Sequence, residues 1–350
     1  MSNANRWYCT REQVKRAVAV EGPNLDALID SYIEAASEEI ERLTDRRFIP
    51  LTATKSYPWP QRGGRGYILF LDEDLLAVTS LTKDGVDLTA IAAGDYFLEP
   101  TTLGPPYTHI EIDLASSAFF SAKDTHQRAI AVTGRWSYQE VTKAAGTVAS
   151  GLSGSASATS AVCSDASKIG VGDALLIESE QLFVSEKTPA DTTANTAGAL
   201  TAVKNETTVP VNTGSLVKAG EVILIDSERM YVESVSGNNL TVIRGYDGST
   251  LAAHANPSDV YAYRTLTLVR GVSGTTAATH ADATAIAIYT PPGDINRLCR
   301  ALAIANRQQD RGGWTGQIGG EAGIETTMRG LRALQDQVRN HYRRRAVAAV

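Results

Sequence analysis

The sequence predicts an α+β protein: a helical frame with a small antiparallel sheet, interrupted by an all-β insertion made of two nested copies of a small β domain. A split repeat carries most of that expectation. Residues 169–187 (IGVGDALLIESEQLFVSEK) and 217–235 (VKAGEVILIDSERMYVESV) are two front halves. Gly172, Leu176, Ile177, Ser179, Glu180 and Val184 recur there as Gly220, Leu224, Ile225, Ser227, Glu228 and Val232. Two back halves follow, 238–263 (NNLTVIRGYDGSTLAAHANPSDVYAY) and 264–289 (RTLTLVRGVSGTTAATHADATAIAIY). Front, front, back, back is the order of nesting: the first front half is completed only by 264–289, and 199–263 is a whole copy between them. The second observation is a change of hydrophobic period, helical at both ends of the chain and strand-like from about residue 52 onward. The expected division is therefore 1–145 plus 291–350 for the frame, 146–190 plus 264–290 for the first β copy, and 199–263 for the nested copy. The stretch 146–290 is expected to be removable.

Bulk properties fit this picture. The chain has 350 residues, 43% of them hydrophobic and 21% charged, enough for two or three domains with cores of their own. No apolar run approaches the roughly 20 residues of a membrane span, and no segment has the pattern of a secretory signal. Cys9, Cys163 and Cys299 lie far apart, with no CxxC pair and no His at ligand spacing. That pattern argues against a disulfide framework or a zinc site and favours synthesis in a reducing cytoplasm. The formal net charge of −6 is unevenly placed, because 291–350 holds 10 basic residues against 5 acidic ones and ends in Arg343, Arg344 and Arg345.

Taken in order, Thr10 with Gln13 three residues later predicts a capping box for a helix carrying Val14, Ala17 and Val18, stopped by Gly22. Asn24 can cap a second helix, whose apolar residues Leu25, Leu28, Ile29, Tyr32, Ile33, Ala36, Ile40 and Leu43 share one face. Strands are expected at 52–58, 66–71, 75–82, 95–99, 108–114 and 128–135, separated by turns such as Asp84-Gly85. The Gly/Ser/Ala/Thr-rich stretches 144–168 and 188–199 have linker composition. Helical period returns after Pro291-Pro292, with Asp294 in the first turn and Ile295, Leu298, Leu302 and Ala305 on one face. A Gly-rich segment at 312–323 then leads to a last helix with Met328, Leu331, Leu334, Val338 and Tyr342 on one side and Arg329, Arg332 and Arg339 elsewhere.

The segments outside the insertion resemble the head–tail connector, or head-completion adaptor, family of long-tailed double-stranded DNA phages. The residues that carry the resemblance are WYCTREQVKRAV, LIDSYIEAASEEIERLTDRRFIP, LDEDLLAVTSLTKDG, YFLEP, AVTGRWSY and PPGDINRLCRALAIANRQQDR. Their order and spacing are the signal, since none is a catalytic signature. The large insertion departs from the family, which runs from the VTGRWSY strand almost directly into the Pro-initiated helix. The resemblance implies a virion protein at the head–tail interface: a homo-oligomeric ring, typically of twelve subunits, that docks on the portal and receives a tail-side head-completion or tail-terminator protein. Genome DNA would pass through without sequence-specific binding. It also implies that the C-terminal segment makes the portal contact, here Leu331, Leu334, Val338 and Tyr342 with Arg343, Arg344 and Arg345, on a tail uncovered before assembly.

Other residues are weighed against structural roles. His254 and His280 occupy equivalent places near acids and raise metal or sugar binding, but no third ligand recurs at suitable spacing, which favours a hydrogen bond that fixes a turn. Glu180 and Glu228 recur once per copy beside Ser179 and Ser227, and an ion pair with the equally repeated Arg270 and Arg244 accounts for both residue types. The Gly-rich 312–323 lacks the Lys-[Ser/Thr] of a P-loop and does not follow a strand. No nucleophile, metal or cofactor motif points to an enzyme. A structural adaptor is thus the leading expectation. The alternative is a binding module whose β copies recognise a glycan or another virion protein, and a DNA-binding protein driven by the basic tail ranks third.

Overall fold

The computed structural model describes residues 5–61, 65–85, 88–311 and 321–344. Among the described residues it is a mixed α/β protein with four α-helices and two mostly antiparallel sheets. Two compact units divide the chain. The smaller takes Glu38–Val141, Thr290–Leu298 and Met328–Val350, and the larger takes Met1–Ser37, Thr142–Tyr289 and Cys299–Thr327.

The smaller unit is built on a six-stranded sheet of β1 (Leu51–Tyr57), β2 (Ile68–Lys83), β3 (Thr89–Ile91), β4 (Tyr96–Glu99), β5 (Tyr107–Ile112) and β6 (Ile130–Trp136). Its order is β1-β6-β2-β5-β4, with β3 also on β2. The two strands expected at 66–71 and 75–82 are one long strand. The start of β2 pairs with β5 and its end with β6, and the register shifts between Phe70 and Leu75. The intervening acidic triplet resembles a turn in sequence, but Asp74 is buried and ion-paired to Arg46, which holds the chain in the sheet. Leu69, Leu75, Leu81, Ile110, Ile130, Val132 and Trp136 form the core on one face, and Trp136 Nε1 donates to the Ala53 carbonyl at 3.0 Å. Gly134 is dictated by packing, since a Cβ there would lie 2.3 Å from the Ala77 carbonyl oxygen.

The larger unit holds a ten-stranded sheet: β7 (Thr142–Thr147), β8 (Ser160–Val162), β9 (Ala174–Ile177), β10 (Glu180–Asn195), β11 (Thr208–Pro210), β12 (Val222–Ile225), β13 (Glu228–Ser236), β14 (Asn239–Ile243), β15 (Asp259–Val269) and β16 (Ala285–Tyr289). The order is β11-β14-β13-β12-β15-β10-β9-β16-β7, with β8 on β15. Two separate hydrophobic cores lie along it. One gathers Leu175, Ile177, Leu182, Val184, Leu266, Leu268, Ile286 and Ile288; the other gathers Ile223, Ile225, Met230, Val232, Leu240, Val242, Val260 and Ala262. The long strands β10 and β15 serve both. Phe183–Thr188 pairs with Thr265–Val269 beside the first core, and Ala190–Asn195 pairs with Asp259–Ala262 beside the second.

Two expectations are corrected here. The stretch 144–168 is not a linker: β7 pairs with β16, β8 pairs with β15, and Ala145, Val148, Leu152, Ala161, Cys163 and Ala166 are buried in the first core. Likewise 188–195 is the second half of β10, with Thr192 and Ala194 buried. Ala, Gly, Ser and Thr compose flexible linkers, but they also suit a core where strands must approach closely. Nor is the insertion separable from the N-terminal segment. Helix α1 (Arg11–Ala17) has the expected capping box between Thr10 and Gln13, and it is fastened to the inserted strands. The Glu12 carboxylate accepts the Val171 N–H, Arg11 reaches Glu186 at 2.9 Å, and Lys15 reaches Asp247 at 3.0 Å. Trp7 packs edge-on against Phe183 at 5.1 Å and fills the space above Gly172. The unit division accordingly puts α1 with the β insertion, and it cuts through α2 (Asp26–Thr44) and α3 (Gly293–Arg311) where the sequence predicts a boundary at 145 and 291.

Candidate functional site

The last helix, α4 (Glu321–Tyr342), arises where the sequence predicts it, and its apolar stripe finds a partner inside this chain. Leu334, Val338 and Tyr342 are buried and Leu331 is half-buried. The Tyr342 ring stands edge-on to Phe48 and Tyr138, both at 5.4 Å, and its hydroxyl donates to Asp294 at 2.8 Å. Burial and the Asp294 carboxylate push the Tyr342 phenol up, so it stays protonated and remains a donor. Gln335 donates to Glu39 at 2.8 Å. The surface expected to wait uncovered for a partner is therefore already covered, because an amphipathic face packs on whatever apolar surface its own chain offers. Arg344 is also used internally. Its Nε lies 3.3 Å from Asp74, its guanidinium donates to the Leu71 carbonyl at 2.8 Å, and its N–H donates to Thr44, the last residue of α2. Arg345 lies outside the described residues.

What α4 leaves open is a groove of about 1030 Å³ beside it, lined by Arg42, Asp45, Phe70, Asp72, Arg339 and Arg343 among others. The ends of two helices and the bend in β2 form its walls. Arg339 pairs with Asp336 on its own helix, whereas Arg343 is exposed. Arg42 from α2 and Arg343 just past the end of α4 are thus among its cationic lining residues, and Asp45 and Asp72 are among its acidic ones. Arg343 belongs to the basic tail expected from the sequence, whereas no local pattern links Arg42 and Asp72 to that tail.

The repeated polar residues of the β copies form two copies of one arrangement. Glu180 accepts Nε and Nη2 of Arg270, both at 2.7 Å, with Nε2 of His280 at 2.9 Å and the N–H groups of Gly271 and Ala278 at 3.0 and 2.9 Å. Glu228 does the same with Arg244 (2.7 Å twice), His254 (2.9 Å), Gly245 (2.8 Å) and Ala252 (3.0 Å). The second ring nitrogen of each His faces an acid, Glu178 at 2.8 Å and Asp226 at 2.7 Å. Both glutamates are fully buried. Burial pushes their carboxyls up, but the arginine, the two backbone donors and the His outweigh it and hold each at about 2. A carboxylate so thoroughly neutralised is a poor base and has no open position for a ligand. The chemistry available is cross-linking: each cluster ties a strand end to the loop that follows the partner strand. Among the described residues, no group of three or more His, Cys, Asp or Glu is arranged to hold a metal ion.

A further meeting of residues had no sequence signal. Cys9 and Cys299, separated by 290 positions, bring their Sγ atoms to 3.2 Å, with Ser37 Oγ 3.4 Å from Cys299. All three cysteines are free and buried.

Among the described residues, the fold is α+β with antiparallel sheets, the Glu–Arg–His clusters are buried, and a charged groove lies beside α4. No family model matches the chain, and no curated protein matches it. Among solved structures, a chain described as the neck of an empty GTA particle, computed with C6 symmetry, is similar at 20% identity with a TM-score of 0.25. The match covers 37% of this chain and 65% of that one, so the chain spans under two thirds of its neighbour's length.

Proposed function

We propose that the chain is a structural virion protein of the head–tail connector type, without enzymatic activity. It would assemble as a ring, of twelve subunits by the family resemblance, dock on a portal, and join capsid to tail around passing DNA. One observation carries this reading: the segments that resemble the connector family, far apart in sequence, pack on one another. Cys9 of WYCTREQ, Ser37 of the SYIEAASEE helix and Cys299 of PPGDINRLCR meet in one buried contact. Phe48 of DRRFIP stacks edge-on against Tyr138 of GRWSY, and Ser137 donates to the Arg47 carbonyl at 3.1 Å. Within each unit, the segments that carry the resemblance are thus in contact with one another.

Within the same reading, the insertion is two nested copies, supported by the ladders of Phe183–Thr188 with Thr265–Val269 and of Leu175–Ile177 with Ile286–Ile288. Portal docking would fall on Arg343 and the groove beside α4, since Leu334, Val338 and Tyr342 are spent on the chain's own core. The test mixes the purified chain with portal rings from the same phage and follows co-sedimentation and negative-stain images. Ring-on-portal particles that weaken in Arg42→Glu and Arg343→Glu variants are expected. A chain that stays monomeric and unbound beside intact portal rings overturns the proposal.

A further inference from the structure

Cys9 sits just before α1 and Cys299 on the buried face of α3, and both belong to the larger unit. Their 3.2 Å separation is shorter than an ordinary contact between two sulfurs, and the geometry has a donor and an acceptor: the Cys9 thiol points its S–H at Cys299. The Ser37 hydroxyl beside Cys299 is itself fixed, since it accepts the Tyr8 N–H at 3.2 Å and donates to the Ile33 carbonyl at 2.8 Å. The two thiols are unlike each other. Burial, the bond to Cys299 and its charge push the Cys9 thiol well up. Burial also acts on Cys299, but the Cys9 S–H and the Tyr8 and Cys9 N–H groups oppose it, and that thiol is brought down. The thiolate is the reactive form of cysteine, so Cys299 is the nucleophile of the pair and Cys9 the partner that resolves it.

We propose that Cys9 and Cys299 are an oxidative modification site, at which a small hydroperoxide converts the two thiols into an intramolecular disulfide. In the first step the Cys299 thiolate attacks the peroxide, the O–O bond breaks, and Cys299 becomes a sulfenic acid while hydroxide leaves and takes up a proton as water. In the second step the Cys9 sulfur, losing its proton, attacks the Cys299 sulfur and the S–O bond breaks with release of a second water. Two thiols are oxidised and one peroxide is reduced to two waters. Hydrogen peroxide is the fitting oxidant because both sulfurs are buried, and a bulky disulfide reagent would have to displace the N-terminal segment. The product would tie the chain before α1 to α3 across a loop holding both sheets, a long closure of the kind that restricts the unfolded chain most. A protein synthesised with reduced thiols would gain this clasp on meeting an oxidising environment.

Cys163 is a built-in control. It is buried, its Sγ contacts the Arg264 carbonyl at 3.3 Å, and burial pushes its thiol up to about 11. The experiment exposes the full-length folded chain to hydrogen peroxide, quenches it, counts free thiols in denaturant and maps linked peptides by mass spectrometry. One remaining thiol, a mass lower by two hydrogens, and a single Cys9–Cys299 linkage are expected. The urea midpoint should rise on oxidation and return with dithiothreitol. Cys163→Ser should leave the linkage intact, while Cys9→Ser should stop at a Cys299 sulfenic acid that dimedone captures. Three surviving thiols, a linkage through Cys163, or only disulfide-joined dimers would overturn the proposal, and the unsubstituted chain alone can deliver that result.

Discussion

Replacing Arg270 with Ala should unfold the first β copy before the second. Arg270 and Glu180 are bonded twice at 2.7 Å with side chains wholly out of solvent. Removing one member of a buried pair costs about 3–5 kcal/mol, because the remaining charge keeps its burial and loses its compensation. Arg270 also donates to the Ser153, Ala158 and Ala278 carbonyls at 2.9, 3.1 and 2.6 Å. Each lost hydrogen bond adds about 1 kcal/mol, offset in part by water entering the space the side chain leaves. A total of about 5 kcal/mol follows, comparable to the whole stability of many domains.

The assay is urea unfolding combined with hydrogen exchange read peptide by peptide. Protection should fall in β7, β9, β16 and the first half of β10, and persist in β12, β13 and β14, whose core is separate. Arg244→Ala should give the mirror result, since Arg244 holds Glu228 with the same two 2.7 Å bonds. A loss below about 1 kcal/mol would show that the cluster is not a structural clasp. Equal deprotection of both copies in each variant would refute the two-copy reading of the insertion.

Acid should weaken both clasps. Glu180 and Glu228 are held at about 2 against an ordinary 4.5, so their contribution is complete above pH 4.5 and is lost as pH falls towards 2. A urea midpoint that does not fall over that window would contradict it. Gly172→Ala should cost about 1–3 kcal/mol more than Gly220→Ala in thermal unfolding. Both glycines have φ near +100°, at +101° and +93°, but the new Cβ would come within 2.2 Å of the Trp7 ring in one case and 3.1 Å of Ser167 in the other. Similar losses would mean that Trp7 moves aside freely. Tyr342→Phe deletes the bond to Asp294 and should cost about 1.5–3 kcal/mol, with exchange rising first in α4. No loss would mean that α4 is not anchored through its phenol.

Much of this fold was legible in the sequence, and the exceptions share a physical cause. The capping box at Thr10, the helical stripes and the paired Glu and Arg of the copies are local or repeated, and each has a geometry that its spacing implies. The expected linker failed because small residues have the same composition in a flexible tether and in a tightly packed strand. A better signal was present: VASGL at 148–152 matches TAGAL at 196–200. Leu152 and Leu200 bridge to His280 and His254, while Val148 and Thr196 bridge to Cys163 and Val211. The repeat thus begins one strand earlier than its most hydrophobic segment. The tail failed differently. An apolar stripe on α4 shows that something covers Leu334, Val338 and Tyr342, but its periodicity is indifferent to whether the cover is another protein or Phe48, Tyr138 and Asp294 of the same chain. Cys9 and Cys299 mark the limit of reading along the chain: a contact across 290 residues leaves no trace in spacing, and only the folding of the segment before α1 and the chain from Cys299 onward into one unit brings the sulfurs together.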